Sequence, residues 1–244
     1  MKQSQKALVT GIGVLIAGMV ALAGIARIAV SHFDDYGIAA ADEDALVVSP
    51  QATDLRDFTA VEVRGLWELE LRQGDEFSVE LRLPEKGAGS RQVYVSDGRL
   101  ILGAAPDRFG NPWRDKKHDG HPQAIVVMPA LAALSITGAG TVDFAGFDSP
   151  ELRVSVSGAA NIQGRDSKAE RLKLNISGAG NIDMKQIAAV NADVNLSGAG
   201  NIKLGMDGGE LSGNVAGMGR VIYYGPVSDV TIKATGMSRV KAGD

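Results

Sequence analysis

No cysteine occurs in the 244 residues, which excludes disulfides, thiolate metal ligands, a cysteine nucleophile and a lipidated cysteine. Histidine is scarce at three residues, and aromatics make up only 5%. A basic excess is missing as well. The formal charge is -4, and Lys2, Lys6 and Arg27 are the only charges among the first 30 residues, so the remainder stands at -7. Nucleic-acid binders need a basic footprint, and no nucleic-acid partner is expected. Glycine, by contrast, is plentiful at 31 residues, within a chain that is 45% hydrophobic. That balance suits short strands and tight turns better than a helical bundle, in a chain long enough for one good core.

One long apolar run stands at the start. Residues 7–26 are uncharged and mostly apolar, with Lys2 and Lys6 before them and Arg27 behind. A helix of ~20 residues matches the ~30 Å hydrocarbon core of a bilayer. Residues 1–30 are therefore expected to form one N-terminal hydrophobic helix and to meet a membrane through 7–26. As a signal-anchor it stays, with its basic tail in the cytoplasm. As a signal peptide it is cleaved at the small residues of 21–23 or 39–41. The run exceeds the ~7 to 15 residues of a usual signal-peptide core, which favours the anchor. Either way the rest is exported to the extracytoplasmic, periplasmic side of a bacterial cell envelope. Residues 31–45, with five acids, read as an acidic tether.

Residues 46–130 alternate apolar and polar in short runs: Phe58 to Val63, Leu66 to Arg72, Phe77 to Leu83, Val93 to Val95, Leu100 to Leu102 and Ala124 to Met128. Period two bounded by turns, among them Gln73-Gly74-Asp75 and Asp97-Gly98, predicts strands with one buried face. Residues 103–122 carry three prolines, three glycines and seven charges and read as a surface loop.

From 131 to 244 the chain repeats. The unit begins at Thr137-Gly-Ala-Gly-Thr-Val142, Ser157-Gly-Ala-Ala-Asn-Ile162, Ser177-Gly-Ala-Gly-Asn-Ile182, Ser197-Gly-Ala-Gly-Asn-Ile202, Ala216-Gly-Met-Gly-Arg-Val221 and Thr235-Gly-Met-Ser-Arg-Val240, at spacings of 20, 20, 20, 19 and 19. A unit of ~20 residues cannot bury its own apolar face, so copies must stack on one another. The expected fold is all-β: a parallel β-helix or β-solenoid with rungs of about 20 residues, following the N-terminal β region. Ile136, Val156, Ile176, Leu196 and Val215 are expected to form one internal ladder, with Val142, Ile162, Ile182, Ile202, Val221 and Val240 a second. Ser157, Ser177 and Ser197 with Thr137, and Asn161, Asn181 and Asn201, form polar ladders at the turn. Stacked amides can hydrogen-bond along the axis, a structural reason for them that needs no ligand.

These S-G-A-G-N-I units resemble the head GIN-domain family of auto-transporter adhesins. The resemblance runs from about Asp54 to Ala242 and includes Leu55-Arg-Asp-Phe58, Val61-Glu-Val63, Leu69-Glu-Leu-Arg-Gln-Gly74, Val127-Met-Pro129 and Ile222-Tyr-Tyr-Gly-Pro226. It implies an exported β-helix-like, adhesin-like domain, with no catalytic residues to carry over. The last two copies depart from the pattern: Met218 and Met237 replace alanine, and Arg220 and Arg239 replace asparagine. Terminal repeats are usually atypical, so this marks a capping end.

Other constellations are sparse. His118 and His121 with Asp115 and Asp119 lie in the Pro/Gly loop without zinc spacing, and no metal is expected. Trp113 with Arg114, Lys116 and Lys117 offers either a partner contact or an aromatic folded back onto the domain. Asp143 and Asp183, two rungs or ~9.6 Å apart, stand near the separation inverting glycosidases use, and equally suit solvated alternating charges. Neither a nucleophile elbow nor a dinucleotide fingerprint occurs, so no cofactor is expected. The leading expectation is a non-enzymatic, exported envelope solenoid that binds or scaffolds an envelope protein or glycan, with self-association end to end. The alternatives are a polysaccharide-active β-helix enzyme and a membrane-anchored envelope-stress sensor.

Overall fold

The structure, a computed structural model, describes residues 46–48, 55–84, 91–104 and 121–244. Among them it is all-β, and no helix there is long and apolar enough to cross a membrane. Residues 7–26 and the loop residues 105–120 lie outside the described residues.

The strands are β1 (Leu46–Val48), β2 (Ala60–Gln73), β3 (Ser78–Pro84), β4 (Arg91–Ser96), β5 (Arg99–Ala104), β6 (Gln123–Met128), β7 (Ala133–Ala145), β8 (Asp148–Met206), β9 (Glu210–Tyr224), β10 (Asp229–Gly236) and β11 (Arg239–Ala242). Alternation decides which side of each faces inward. In β2, Val61, Val63, Trp67, Leu69 and Leu71 are buried, the period of an extended chain with one apolar face. The long strand β8 keeps that alternation in successive stretches, Leu152, Val154 and Val156 in one and Leu172, Leu174 and Ile176 in the next.

Register follows the sequence spacing. β7 pairs in parallel with β8 so that Ile136 faces Val156 and Val142 faces Ile162, each one full repeat further along the chain. β8 pairs with β9 so that Leu196 faces Val215 and Ile202 faces Val221, an offset shorter by one position. β10 and β11 lie on β9 with that same shortened offset. Val142, Ile162, Ile182, Ile202 and Val221 are completely buried. Each contributes about 1.5–3 kcal/mol relative to exposure.

The stack does not begin at residue 131. β2 pairs with β7 along the whole length of β7, Val61 facing Leu134, Gly65 facing Gly138 and Leu69 facing Val142, so residues 60–72 form a further layer of the same kind. On the far side of β2, β5 pairs with its first half and β6 with its second half, both parallel. Antiparallel strands then close this end: β4 on β5, β3 on β6 and β1 on β3. The β4–β5 hairpin turns at Asp97 (φ 52°) and Gly98 (φ 68°), the left-handed pair a two-residue hairpin loop requires.

Where the layers bend, side chains replace lost ladder bonds. The buried Ser149 hydroxyl donates to the Leu131 carbonyl at 2.7 Å. That of Ser167 donates to the Arg165 carbonyl at 2.7 Å and accepts from the Phe147 amide at 3.1 Å. Such groups could not be left unmet away from water.

The tightest approach is at the glycines of the repeat. Gly178 has φ 132°, and a Cβ there would collide with the carbonyl oxygen of Gly158 directly alongside. Gly180 has ordinary φ, an added Cβ there would make only ordinary contacts at 3.4 Å or more with Ile176 and Ile182, and its counterpart is already alanine, Ala160. Gly178→Ala is therefore expected to destabilise by about 2 kcal/mol or more. Gly180→Ala should stay within about 0.5 kcal/mol. Denaturant unfolding of the two variants side by side checks this, and equal losses would contradict it.

Candidate functional site

Two polar ladders run along one face before the glycine bend. Ser155, Asn175 and Asn195 form one, and Ser157, Ser177 and Ser197 the other. They line a shallow open trough of about 330 Å³ whose floor is the edge of Val156, Ile176 and Leu196. Small side chains keep the trough open. Asn195 Nδ2 donates to Asn175 Oδ1 at 3.4 Å and to Asp193 Oδ1 at 3.0 Å. Beyond the bend runs the amide ladder, in which Asn181 Nδ2 donates to Asn161 Oδ1 at 3.2 Å and Asn201 Nδ2 to Asn181 Oδ1 at 3.4 Å. Each amide there spends part of its capacity on its neighbour, and its remaining donor and acceptor positions face water.

Charged side chains near these ladders are largely matched to each other. Lys203 Nζ lies 2.8 Å from Asp183 Oδ2, and this hydrogen bond raises the lysine above its ordinary range. The other oxygen of Asp183 accepts the Lys185 amide at 3.2 Å. Glu151 is met by Arg153 at 2.6 Å, Lys173 at 3.2 Å and Arg171 at 3.6 Å. The hydrogen bond from Lys173, joined by that from Arg153 and by the charges of both, holds its carboxyl below the usual range against desolvation. Sequence reasoning did not single out this cluster, although its spacing, two along the strand and one repeat across it, was legible.

The two aspartates considered for glycan cleavage are not presented alike. Asp183 is engaged by Lys203, whereas Asp143 stands 3.7 Å from Arg165. Burial raises the Asp143 carboxyl above the usual range, an effect Arg165 opposes and the charge of Glu70 reinforces. Gln163 occupies the layer beside Asp143. His121 Nδ1 lies 3.6 Å from Glu68 Oε1. No group of three His, Asp or Glu that could hold a metal occurs among the described residues. Trp113, Arg114, Lys116, Lys117 and His118 lie outside them.

The altered last copies form a second feature. Met218 and Met237, with relative exposures of 39% and 77%, border an open polar hollow of about 710 Å³ together with Asn201, Arg220 and Arg239. The register places Arg239 beside Arg220.

Because the folded state raises the Asp143 pKa, its contribution to stability is fully present below the ordinary aspartate pKa of ~3.9 and is lost as pH rises through the raised value. Asp143→Asn is accordingly expected to raise Tm at pH 7 and to leave it unchanged near pH 3. Melting curves at both pH values check the sign, and a lower Tm at pH 7 would refute it.

A family model described as "Putative auto-transporter adhesin, head GIN domain" matches residues 57–226 and 173–244. No curated protein matches the chain. Among solved structures, a protein of Bacteroides fragilis NCTC 9343 described as a putative adhesin superposes with a TM-score of 0.58 at 18% identity, over 82% of this chain and 97% of its own. A protein described as a putative adhesin from Parabacteroides merdae ATCC 43184 gives 0.46 at 16%, over 83% and 98%. One from Parabacteroides distasonis ATCC 8503, described as a putative lipid binding protein, gives 0.48 at 16%, over 83% and 98%. The first of these shares its fold with this chain.

Proposed function

Since the chain belongs to the head GIN-domain family, we propose that it is a non-enzymatic, exported cell-envelope protein whose layers wind as a parallel β-solenoid and bind or scaffold an envelope partner. Residues 7–26 anchor it in the membrane, and the domain stands on the extracytoplasmic side. The observation that carries this reading is the trough: uncharged hydroxyl and amide ladders over an apolar floor. Its polar groups recur at the ~4.8 Å layer spacing of a sheet, which suits an extended protein or glycan chain better than a compact metabolite. Ligand sites for small molecules are enclosed and built from a few convergent polar groups. This trough is open and periodic.

The glycan-cleaving alternative has one observation in its favour, the raised pKa of Asp143, the direction a general acid needs. Against it, the carboxylate that would complete the pair is neutralised by Lys203.

The test is retention of the full-length chain on isolated cell envelopes. Replacing Ser157 and Ser197, which are not lateral neighbours, together by Arg fills the trough with exposed side chains and should cut retention by about tenfold, a loss of ~1.4 kcal/mol, with Tm little changed. Undiminished retention in that variant would sink the proposal. Protease treatment of the envelopes tells a protein partner, whose binding is lost, from a glycan, whose binding survives. Envelope polysaccharide incubated with the protein should release no new reducing ends. Release that disappears in Asp143→Asn would move the assignment to the enzyme.

A further inference from the structure

The two ends of the stack are finished differently. At one, antiparallel β3 and β4 cover the outermost parallel strands, and Leu81, Leu83, Leu100 and Leu102 are buried. At the other, β10 and β11 pair with β9 alone among the described strands. The outer edge of β10 therefore presents a row of backbone donors and acceptors. Core positions are uncovered there too. Leu211 and Val215 are completely buried, whereas their partners one layer out, Val230 and Ala234, are exposed. Both rows are apolar, and the outer one has no further layer on it among the described strands.

The charges of β10 say what fits. Asp229, Thr231 and Lys233 alternate with Val230, Ile232 and Ala234. Neither Asp229 nor Lys233 makes an ion pair among the described residues, although Asp229 stands in register beside Glu210. A cation brought to that edge would relieve two neighbouring acids.

The geometry points to a second copy of this chain as the occupant, bound edge to edge through β10 in antiparallel pairing about a two-fold axis at Thr231. Residues directly opposed across such a pair share a face, so only registers centred on a residue keep apolar opposite apolar. Centred on Thr231, Asp229 faces Lys233 of the second copy and Lys233 faces its Asp229, while Val230 and Ile232 face each other twice. A centre at Asp229 or at Lys233 sets like charges together. A centre at Val230 or at Ile232 leaves both charges opposite neutral side chains. An isologous contact of this kind closes on itself, so it ends at a dimer and does not propagate into a fibre.

The absence of cysteine makes the test direct. The full-length chain carrying Thr231→Cys is oxidised mildly in detergent. Opposed Cα atoms lie ~4.5–5.5 Å apart in such a pair, within the ~4.4–6.8 Å a disulfide spans, so a covalent dimer is expected. Thr235→Cys is the control. Its two copies would lie ~27 Å apart, about eight residues at ~3.4 Å, and should not cross-link. Lys233→Glu sets acids opposite each other twice and should lower dimerisation of the Thr231→Cys chain by about tenfold. Adding Asp229→Lys restores the pairing with signs exchanged and should recover it. Melting temperatures of all variants verify that each is folded. Cross-linking of Thr235→Cys as fast as Thr231→Cys, or no recovery on charge exchange, would overturn the proposed register. A monomer at every concentration in sedimentation would overturn the dimer and place another occupant on the edge, such as residues 1–45. These readouts concern assembly alone and leave the trough's role to envelope retention.

Discussion

Parallel, in-register pairing at an offset of one repeat unit is the constraint on which the rest of this structure depends. It gives each residue its own counterpart as lateral neighbour. Chemistry placed at one position is thereby multiplied along the axis. Isoleucine on isoleucine fills the interior, amide on amide forms hydrogen-bonded ladders, and glycine on glycine lets backbones approach where no Cβ would fit. Charge obeys the same rule with the opposite preference, since like charges stacked side by side repel. Asp183 accordingly lies against Lys203, and Glu151 against Arg171. Core, bend and surface thus follow from one pairing rule.

That rule also governs what the sequence reveals. From Ala133 onward the glycine pattern recurs at a nearly constant interval, so both internal ladders could be read off the chain directly. The Asp97-Gly98 hairpin was equally legible, because few residues tolerate a left-handed backbone. The layer at residues 60–72 was not. It lies far upstream of its partner β7, with β3, β4, β5 and β6 between them in the chain, and the serine and second glycine of the motif are replaced there by Arg64 and Trp67. Only Gly65 and the apolar positions Val61, Val63, Leu69 and Leu71 survive, a pattern too common to betray its phase. The Trp67 substitution has a spatial logic. It stands opposite Gly140, and its ring is completely buried, so the large side chain sits beside a layer whose counterpart has none.

The candidate site was legible in its residues but not in its shape. Ser157, Ser177 and Ser197 announce a ladder, yet a ladder alone does not say whether its flank is ridge or trough. The trough arises because Ser155 and Asn175, on the neighbouring outward positions, are also small or short. The Glu151 cluster escaped attention because its members belong to two different copies. Ion pairs across a stack appear in sequence only once the offset is applied to every charged position.

The two ends follow from the same rule. An antiparallel strand cannot continue a parallel in-register stack, so β3 and β4 terminate it as well as cover it. At the other end the pairing mode is unbroken through β10 and β11, the outermost layer among the described strands. The substitutions there fit an end position. Arg220 and Arg239 lie side by side, an arrangement that repels inside a stack and is tolerated where water screens it. An asparagine in place of Arg220 would have extended the amide ladder beyond Asn201. Arginine, a donor with no acceptor, stops it. Met218 and Met237 likewise replace alanine in the last two layers, where both are exposed, and their flexible thioethers can adapt to a surface that docks against them. The departures from the repeat are therefore concentrated where periodic pairing ceases to dictate the residue, which is also where this fold is free to specify a contact.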